Sequence, residues 1–239
     1  MTIRDEYNNR VREIDSFYEI LKVIELESPK ISAYDLNESS EKVVLISPSK
    51  IDTLRSTAYL LLYNLIESTI YNSMTTIFDE IKDCELKYSE VIDDVQKYWL
   101  NNIYKHNDNK KKETIIETII NIANKISSEI IQLSSNEINY GGSLDAQKIF
   151  ATAKSMKIDI NNIHFIYDKN KHGESLVDVK KKRNWLAHGE KSFIEVGSTS
   201  TYNQLKDSKN YICDFLDEFI KSVETYITNK HFQVPASTM

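Results

Sequence analysis

The chain has 239 residues, 41% of them hydrophobic and 28% charged, which suits one compact globular unit or a core with a decorating subdomain. Five glycines and three prolines are too few for a turn-rich β architecture and favour long helices. A net charge of −6 excludes a chain-wide nucleic-acid-binding surface, so any such site must be a local basic patch.

In chain order, residues 3 to 27 read as an amphipathic helix. Ile14, Phe17, Leu21 and Ile24, with Tyr7, Val11 and Tyr18, recur at three and four, and Ser28-Pro29 ends the pattern. Residues 28 to 50 are a polar connection with one apolar clump, Val43 to Ile46, that fits a short strand or a buried loop anchor. Residues 51 to 82 form the clearest long helix, apolar widely enough to be central. Glu67 falls on its stripe Leu60, Tyr63, Glu67, Tyr71, Met74, Phe78, where a carboxylate needs a partner or water. Residues 85 to 104 give another helix, 105 to 112 (KHNDNKKK) a charged loop, and 113 to 133 an Ile-rich helix. Gly141-Gly142-Ser143 is a break, with Ser143 suited to cap the next helix. Residues 158 to 174 read as a mixed link docked through Ile160, Ile163, Phe165 and Ile166.

The stretch Leu176 to Gly189 carries the chemistry. Ser175 looks like an N-cap with Asp178 three residues on, and Gly189 like the left-handed residue that ends the helix. The last turn holds Arg183, Asn184 and His188. Asn184 and His188 are four apart and share a face. Arg183 lies about 140° around from His188 at roughly 100° per residue, within reach of a long guanidinium arm. The partial negative charge of a helix C-terminus favours imidazolium, and arginine grips phosphate through a planar fork. A fixed cation beside a titratable imidazole suits phosphodiester cleavage without metal. From spacing alone the plainer alternative is the commoner one: Arg183 in a surface ion pair and His188 as a cap. Lys169, Lys171, His172, Lys180, Lys181, Lys182, Arg183 and Lys191 make one candidate basic patch, with a solvated helix face as the alternative. Beyond Gly189, Phe193 reads as a packing anchor, Ile194 to Gly197 as a brief extended segment, and Asn210 to Lys230 as the last helix.

Five scattered histidines without H-x-x-x-H spacing give no metal ligand set, and Cys84 and Cys213 form no metal or redox spacing. No cofactor is expected. The charged start MTIRDEYNNR is no signal peptide, and no apolar run reaches membrane-spanning length, so the expected setting is cytoplasmic.

Arg183-Asn184-x-x-x-His188 fits the R-x4-6-H signature of the HEPN superfamily. The longer string RNWLAHGEKSF, Arg183 to Phe193, resembles one bacterial branch in which RN-x-LAHG-x-x-SF recurs. Leu60 to Thr69 (LLLYNLIEST) and Leu144-Asp145-Ala146 resemble the same branch in the same order, so the likeness runs from about Ile51 to the C-terminal helix. The branch prefers Gly-Asn-Leu-Asp where this chain has Gly-Ser-Leu-Asp.

The resemblance implies an all-α, HEPN-like helical bundle over 1–239, with additional helices and room for a short β element. Its core is 51–82 and 144–230, with 105–133 as a variable insertion. It further implies a metal-independent endoribonuclease that cleaves RNA through 2′-OH attack, serving as a toxin or anti-phage defence effector. Arg183, Asn184, His188 and Glu67 would be catalytic, and Lys180, Lys181, Lys182 and Lys191 would bind RNA. A homodimer would bring two such motifs together, and an antitoxin or defence-system protein would be a further partner. The alternative is a non-catalytic dimerisation or ligand-binding module in such a complex. Silencing by nucleotidylation of a tyrosine two residues past the histidine finds no support, because that position is Glu190.

Overall fold

The computed structural model describes residues 2–26, 29–35, 37, 39–105, 112–128, 130–131, 133, 144–169 and 173–235. Among these, nine α-helices and one two-stranded sheet make a mostly α-helical, HEPN-like fold, as expected. The chain divides into two compact units, Met1–Ser68 with Ile166–Leu216 and Thr69–Phe165 with Asp217–Met239.

In the first unit, α1 (Ile3–Ile24) starts on a capping box: Thr2 Oγ1 accepts from Asp5 N, and Asp5 Oδ2 accepts from Thr2 N. It buries Tyr7, Ile14, Tyr18, Leu21 and Ile24, and it ends three residues earlier than expected. The strand alternative is the observed one for Val43 to Leu45. β1 (Lys30–Asp35) pairs antiparallel with β2 (Ser40–Leu45), Ile31 opposite Val44. Val43, Val44 and Leu45 are exposed, whereas Ile46, just past β2, is buried and anchors the connection to α2.

The long helix α2 (Pro48–Asp83) opens on its proline, where the missing N–H costs nothing. Its first half buries Ala58, Tyr59, Leu62, Tyr63, Leu65 and Ile66. α7 (Glu174–Ala187) carries the motif. α9 (Tyr202–Thr228) begins eight residues before the expected start, because Thr201 and Gln204 form a reciprocal cap. Tyr7 and Tyr18 donate their hydroxyl protons to the carbonyls of Cys213 and Leu205, tying α1 to α9.

Residues 194–197 are helical rather than extended. Ser192-x-x-Glu195 is a capping box that starts the short α8 (Phe193–Gly197). Phe193 is 38% exposed, so its side chain is no buried anchor; its backbone carbonyl accepts from Ser56 Oγ instead. Gly197 sits against the backbone of Asp52 so closely that a Cβ would lie 1.8 Å from the Asp52 carbonyl oxygen.

In the second unit, Tyr88–Glu90 form a 3-10 turn and Val91 bridges to Gln233, so α3 (Asp93–Lys105) starts at Asp93 instead of residue 85. α4 (Lys112–Ser128) is shorter than expected, and Ile130 bridges to Lys87. Asp145, not Ser143, caps α5 (Ala146–Ser155): its Oδ1 accepts from Lys148 N at 2.8 Å. Residues 161–169 form α6 (Asn161–Lys169) rather than a mixed link. Ile163 is buried as expected, but Phe165 is 71% exposed. Of the expected loop at 105–112, Lys105 ends α3 and Lys112 starts α4, while 106–111 and the break at 141–143 lie outside the described residues. No helix among the described residues is long and apolar enough to cross a membrane.

The Gly197 contact gives a direct test of the first unit's packing. Gly197→Ala should destabilise the protein by about 2 kcal/mol or more, since backbone cannot rotate away from an added methyl. Equilibrium urea unfolding measures it, and an unchanged midpoint would contradict the close approach.

Candidate phosphodiester site at the end of a helix

α7 does not start on Ser175. The helix begins at Glu174, and its N-cap is Gly173 at φ +78°, a left-handed conformation that side chains resist. A Cβ there would also lie 2.4 Å from the Tyr167 ring. The other end follows expectation. α7 stops at Ala187, His188 is the C-cap, and Gly189 is left-handed at φ +68°. That turn sends the Glu190 and Lys191 N–H groups back to the Trp185 carbonyl, at 2.9 and 3.4 Å. Lys191 is thereby returned over Trp185, its ammonium 3.8 Å from the ring centroid; Lys181, one turn earlier, lies 4.8 Å from it.

Arg183 and Asn184 are held together with residues of α2. Arg183 Nη1 donates to Asn184 Oδ1 at 3.1 Å, and its guanidinium carbon lies 4.3 Å from the Tyr63 ring centroid. Glu67 Oε2 is 3.8 Å from Arg183 Nη2 with a half-exposed side chain. It is therefore both a partner of Arg183 and an edge residue reaching solvent. Attraction at that distance and exposure amounts to about 1 kcal/mol or less. Asn64, a neighbour on the same turn, is engaged elsewhere, accepting from Arg10 Nη1 at 3.0 Å. His188 is exposed, and its backbone N–H donates to Asn184 O at 3.0 Å. Its imidazole makes no hydrogen bond with a described residue and faces solvent.

Lys182 stands apart from its lysine neighbours. It is 9% exposed, and its ammonium donates to Tyr59 OH at 2.8 Å and Ser200 Oγ at 2.9 Å while pairing with Asp178 Oδ2 at 2.9 Å. Tyr59 and Ser200 share a further bond of 2.6 Å. Burial pulls the lysine toward its neutral amine, but the bonds to Tyr59 and Asp178 prevail and raise its pKa above the ordinary lysine value. Lys180 and Lys191 are half-buried and Lys181 is exposed. Lys171 and His172 lie outside the described residues. The spacing Leu176, Val179, Lys182 could have signalled the inward position, since the first two are buried and the third continues their face.

A cavity of about 880 Å³ opens beside this network, lined by Ser175, Asp178, Lys181, Lys182, Ser200 and Gln204 among others, but not by Arg183, Glu67 or His188. At the Arg183–His188 end of α7, His188 is exposed while the Arg183 side chain is 24% exposed. No group of three or more His, Cys, Asp or Glu among the described residues could hold a metal ion.

Because Lys182 is satisfied internally, Lys182→Ala should cost about 2 kcal/mol by removing its buried bonds to Tyr59, Ser200 and Asp178 and leaving a void where the side chain was. Lys181→Ala on the exposed face should stay within about 0.5 kcal/mol. Chemical denaturation of the two variants compares them, and equal stabilities would remove the network's structural role.

No curated protein and no solved structure matches the chain. A family model described as HEPN_MAE_28990-like HEPN matches residues 1–232, which takes in α1 and the hairpin as well as the stretch from Ile51 onward. With that match spanning nearly the whole chain, the protein belongs to the HEPN_MAE_28990-like HEPN family.

Proposed function

We propose that the protein is a metal-independent endoribonuclease whose chemistry is carried by Arg183 and His188. The family suggests a nuclease-like or RNA-related module. The observation that carries the finer reading is the end of α7, where a guanidinium braced by Tyr63 and Asn184 lies five residues before a solvent-facing imidazole.

In this reading His188 takes the proton of a ribose 2′-OH. The 2′-oxygen bonds to phosphorus, the bond to the 5′-oxygen breaks, and a proton returns to that leaving oxygen. The product is a 2′,3′-cyclic phosphate and a 5′-hydroxyl end. Arg183 holds the non-bridging oxygens and stabilises their developing charge. Only one of its five donors is taken by Asn184, so a fork remains for the phosphate. Glu67 orients Arg183 from α2, while Lys180, Lys181 and Lys191 attract the strand. Lys182 serves here as internal support for α7. A second copy would supply the second proton-transfer group, giving a homodimer with two Arg183 and two His188. Such an activity fits a toxin or anti-phage defence effector in the cytoplasm, restrained by a partner protein such as an antitoxin.

Purified protein should cut single-stranded RNA in the presence of EDTA and leave DNA of the same sequence intact, because DNA lacks the 2′-OH. His188→Ala and Arg183→Ala should each lower cleavage by about 1,000-fold or more with unchanged melting. Mapping of RNA ends checks the product. Activity lost to chelator and restored by a divalent ion, or wild-type cleavage by either variant, would overturn the mechanism. Glu67→Gln should slow cleavage by up to about five-fold with little change in stability, and unaltered kinetics would make Glu67 a surface residue only.

A further inference from the structure

We propose that Trp185 is a stacking platform for one unpaired base next to the scissile phosphate, and that it thereby restricts the substrate to single-stranded RNA. This rests on the endoribonuclease reading and goes beyond it by assigning a residue to substrate selection. The chain has two tryptophans. Trp99 is buried at 6% exposure, whereas Trp185 is partly exposed on the motif helix, between Asn184 and His188. Trp185 in the last turn of α7 and the C-cap His188 are three residues apart, a spacing that in helical geometry places two positions roughly 60° from one another, on one side of the helix end.

Two ammonium groups already rest near the indole ring, Lys191 at 3.8 Å and Lys181 at 4.8 Å from its centroid. A partly exposed aromatic ring covered by flexible cations is chemistry that a sequence-tolerant single-strand site can use: a base displaces an ammonium group from the ring and stacks, and the neighbouring phosphates take the ammonium. The lysine arms are flexible and can swing from ring to phosphate as the base arrives. The platform itself is held by the Gly189 turn, because the Trp185 carbonyl accepts from the N–H groups of Glu190 and Lys191. The chain's net charge of −6 repels RNA at long range, so a contact independent of charge is what the site needs. A paired base cannot leave its stack without an unpairing cost, so a duplex gains nothing from the indole.

The test measures binding of a short, fluorescein-labelled, fully 2′-O-methylated single-stranded RNA, which cannot be cleaved, to the full chain by anisotropy. Trp185→Ala should weaken binding roughly ten-fold, and Trp185→Phe should restore most of it. Abasic sites are then placed along the strand one at a time. One position should weaken wild-type binding by the same factor and leave Trp185→Ala binding unchanged. A fully paired duplex should bind both proteins alike. Equal affinity of wild type and Trp185→Ala, or an abasic penalty that is the same in both, would overturn the platform. If Trp185→Ala fails to fold, Trp185→Leu takes its place in the comparison, and a wild-type series with no penalised position overturns the platform by itself. Cleavage and binding that persist without this coupling defeat the platform alone, whereas no RNA binding or cleavage by the wild type defeats the endoribonuclease reading with it.

Discussion

The site depends on a buried ammonium that is not itself at the site. Lys182 reaches the hydroxyls of Tyr59 on α2 and Ser200 just before α9, and so fixes how α7 is turned about its own axis. Arg183 follows Lys182 by one residue, about 100° around the helix. Once Lys182 points inward, Arg183 has to leave along the flank of α2. The partners there follow the helical repeat: Tyr59 meets Lys182, while Tyr63 and Glu67, one and two turns further on, meet Arg183. Two adjacent cations on one helix are thus sorted into different tasks by a stripe of residues spaced four apart.

The sorting has an energetic side. The Lys182 network lies in low dielectric, where each unmade bond is costly, and its three ammonium contacts leave little freedom. Arg183 is held more gently. A cation over a ring contributes about 1 kcal/mol, and a half-exposed pair at 3.8 Å contributes less. A guanidinium placed this way is oriented without being neutralised, which is what an oxyanion-binding arginine requires. The same contrast bears on the charge balance of the chain. A protein with net charge −6 can still hold RNA if a few cations are aimed outward by others that are buried and paired.

Much of this was legible in the residues. The end of α7 was foreseen from Gly189, the long α2 from its wide apolar surface, and the family from RNWLAHGEKSF. What escaped was decided by tertiary partners or by short caps. Lys182 sits in the run Lys180-Lys181-Lys182 and looks like its neighbours until Tyr59, 123 residues away, is placed beside it. The α8 cap, Ser192-x-x-Glu195, was present in the string, but a helix of five residues leaves too little periodicity to outweigh an extended reading. α6 failed in the same way, with one buried position, Ile163, in nine residues. Ser175 was a plausible cap by type, but Gly173 could adopt the left-handed turn that admits Tyr167, and the helix began two residues sooner.

The C-terminal turn of α7 then appears as one device with three effects. A positive φ at Gly189 lets the Trp185 carbonyl collect two N–H groups, so the helix end is satisfied without a side-chain cap. The caps that proteins commonly recruit at such ends include histidine itself, and here His188 is spared that duty and stays in solvent. The same reversal carries Lys191 back over Trp185. Replacing the glycine by a residue that resists the left-handed region would therefore act on imidazole exposure and on the cation beside the indole at once. Among the described residues, no atom beyond its chain neighbours stands within 4 Å of where its Cβ would be, so the constraint at Gly189 is conformational rather than steric. A backbone requirement of that kind, with empty space around it, is what a site open to a long, flexible substrate would keep.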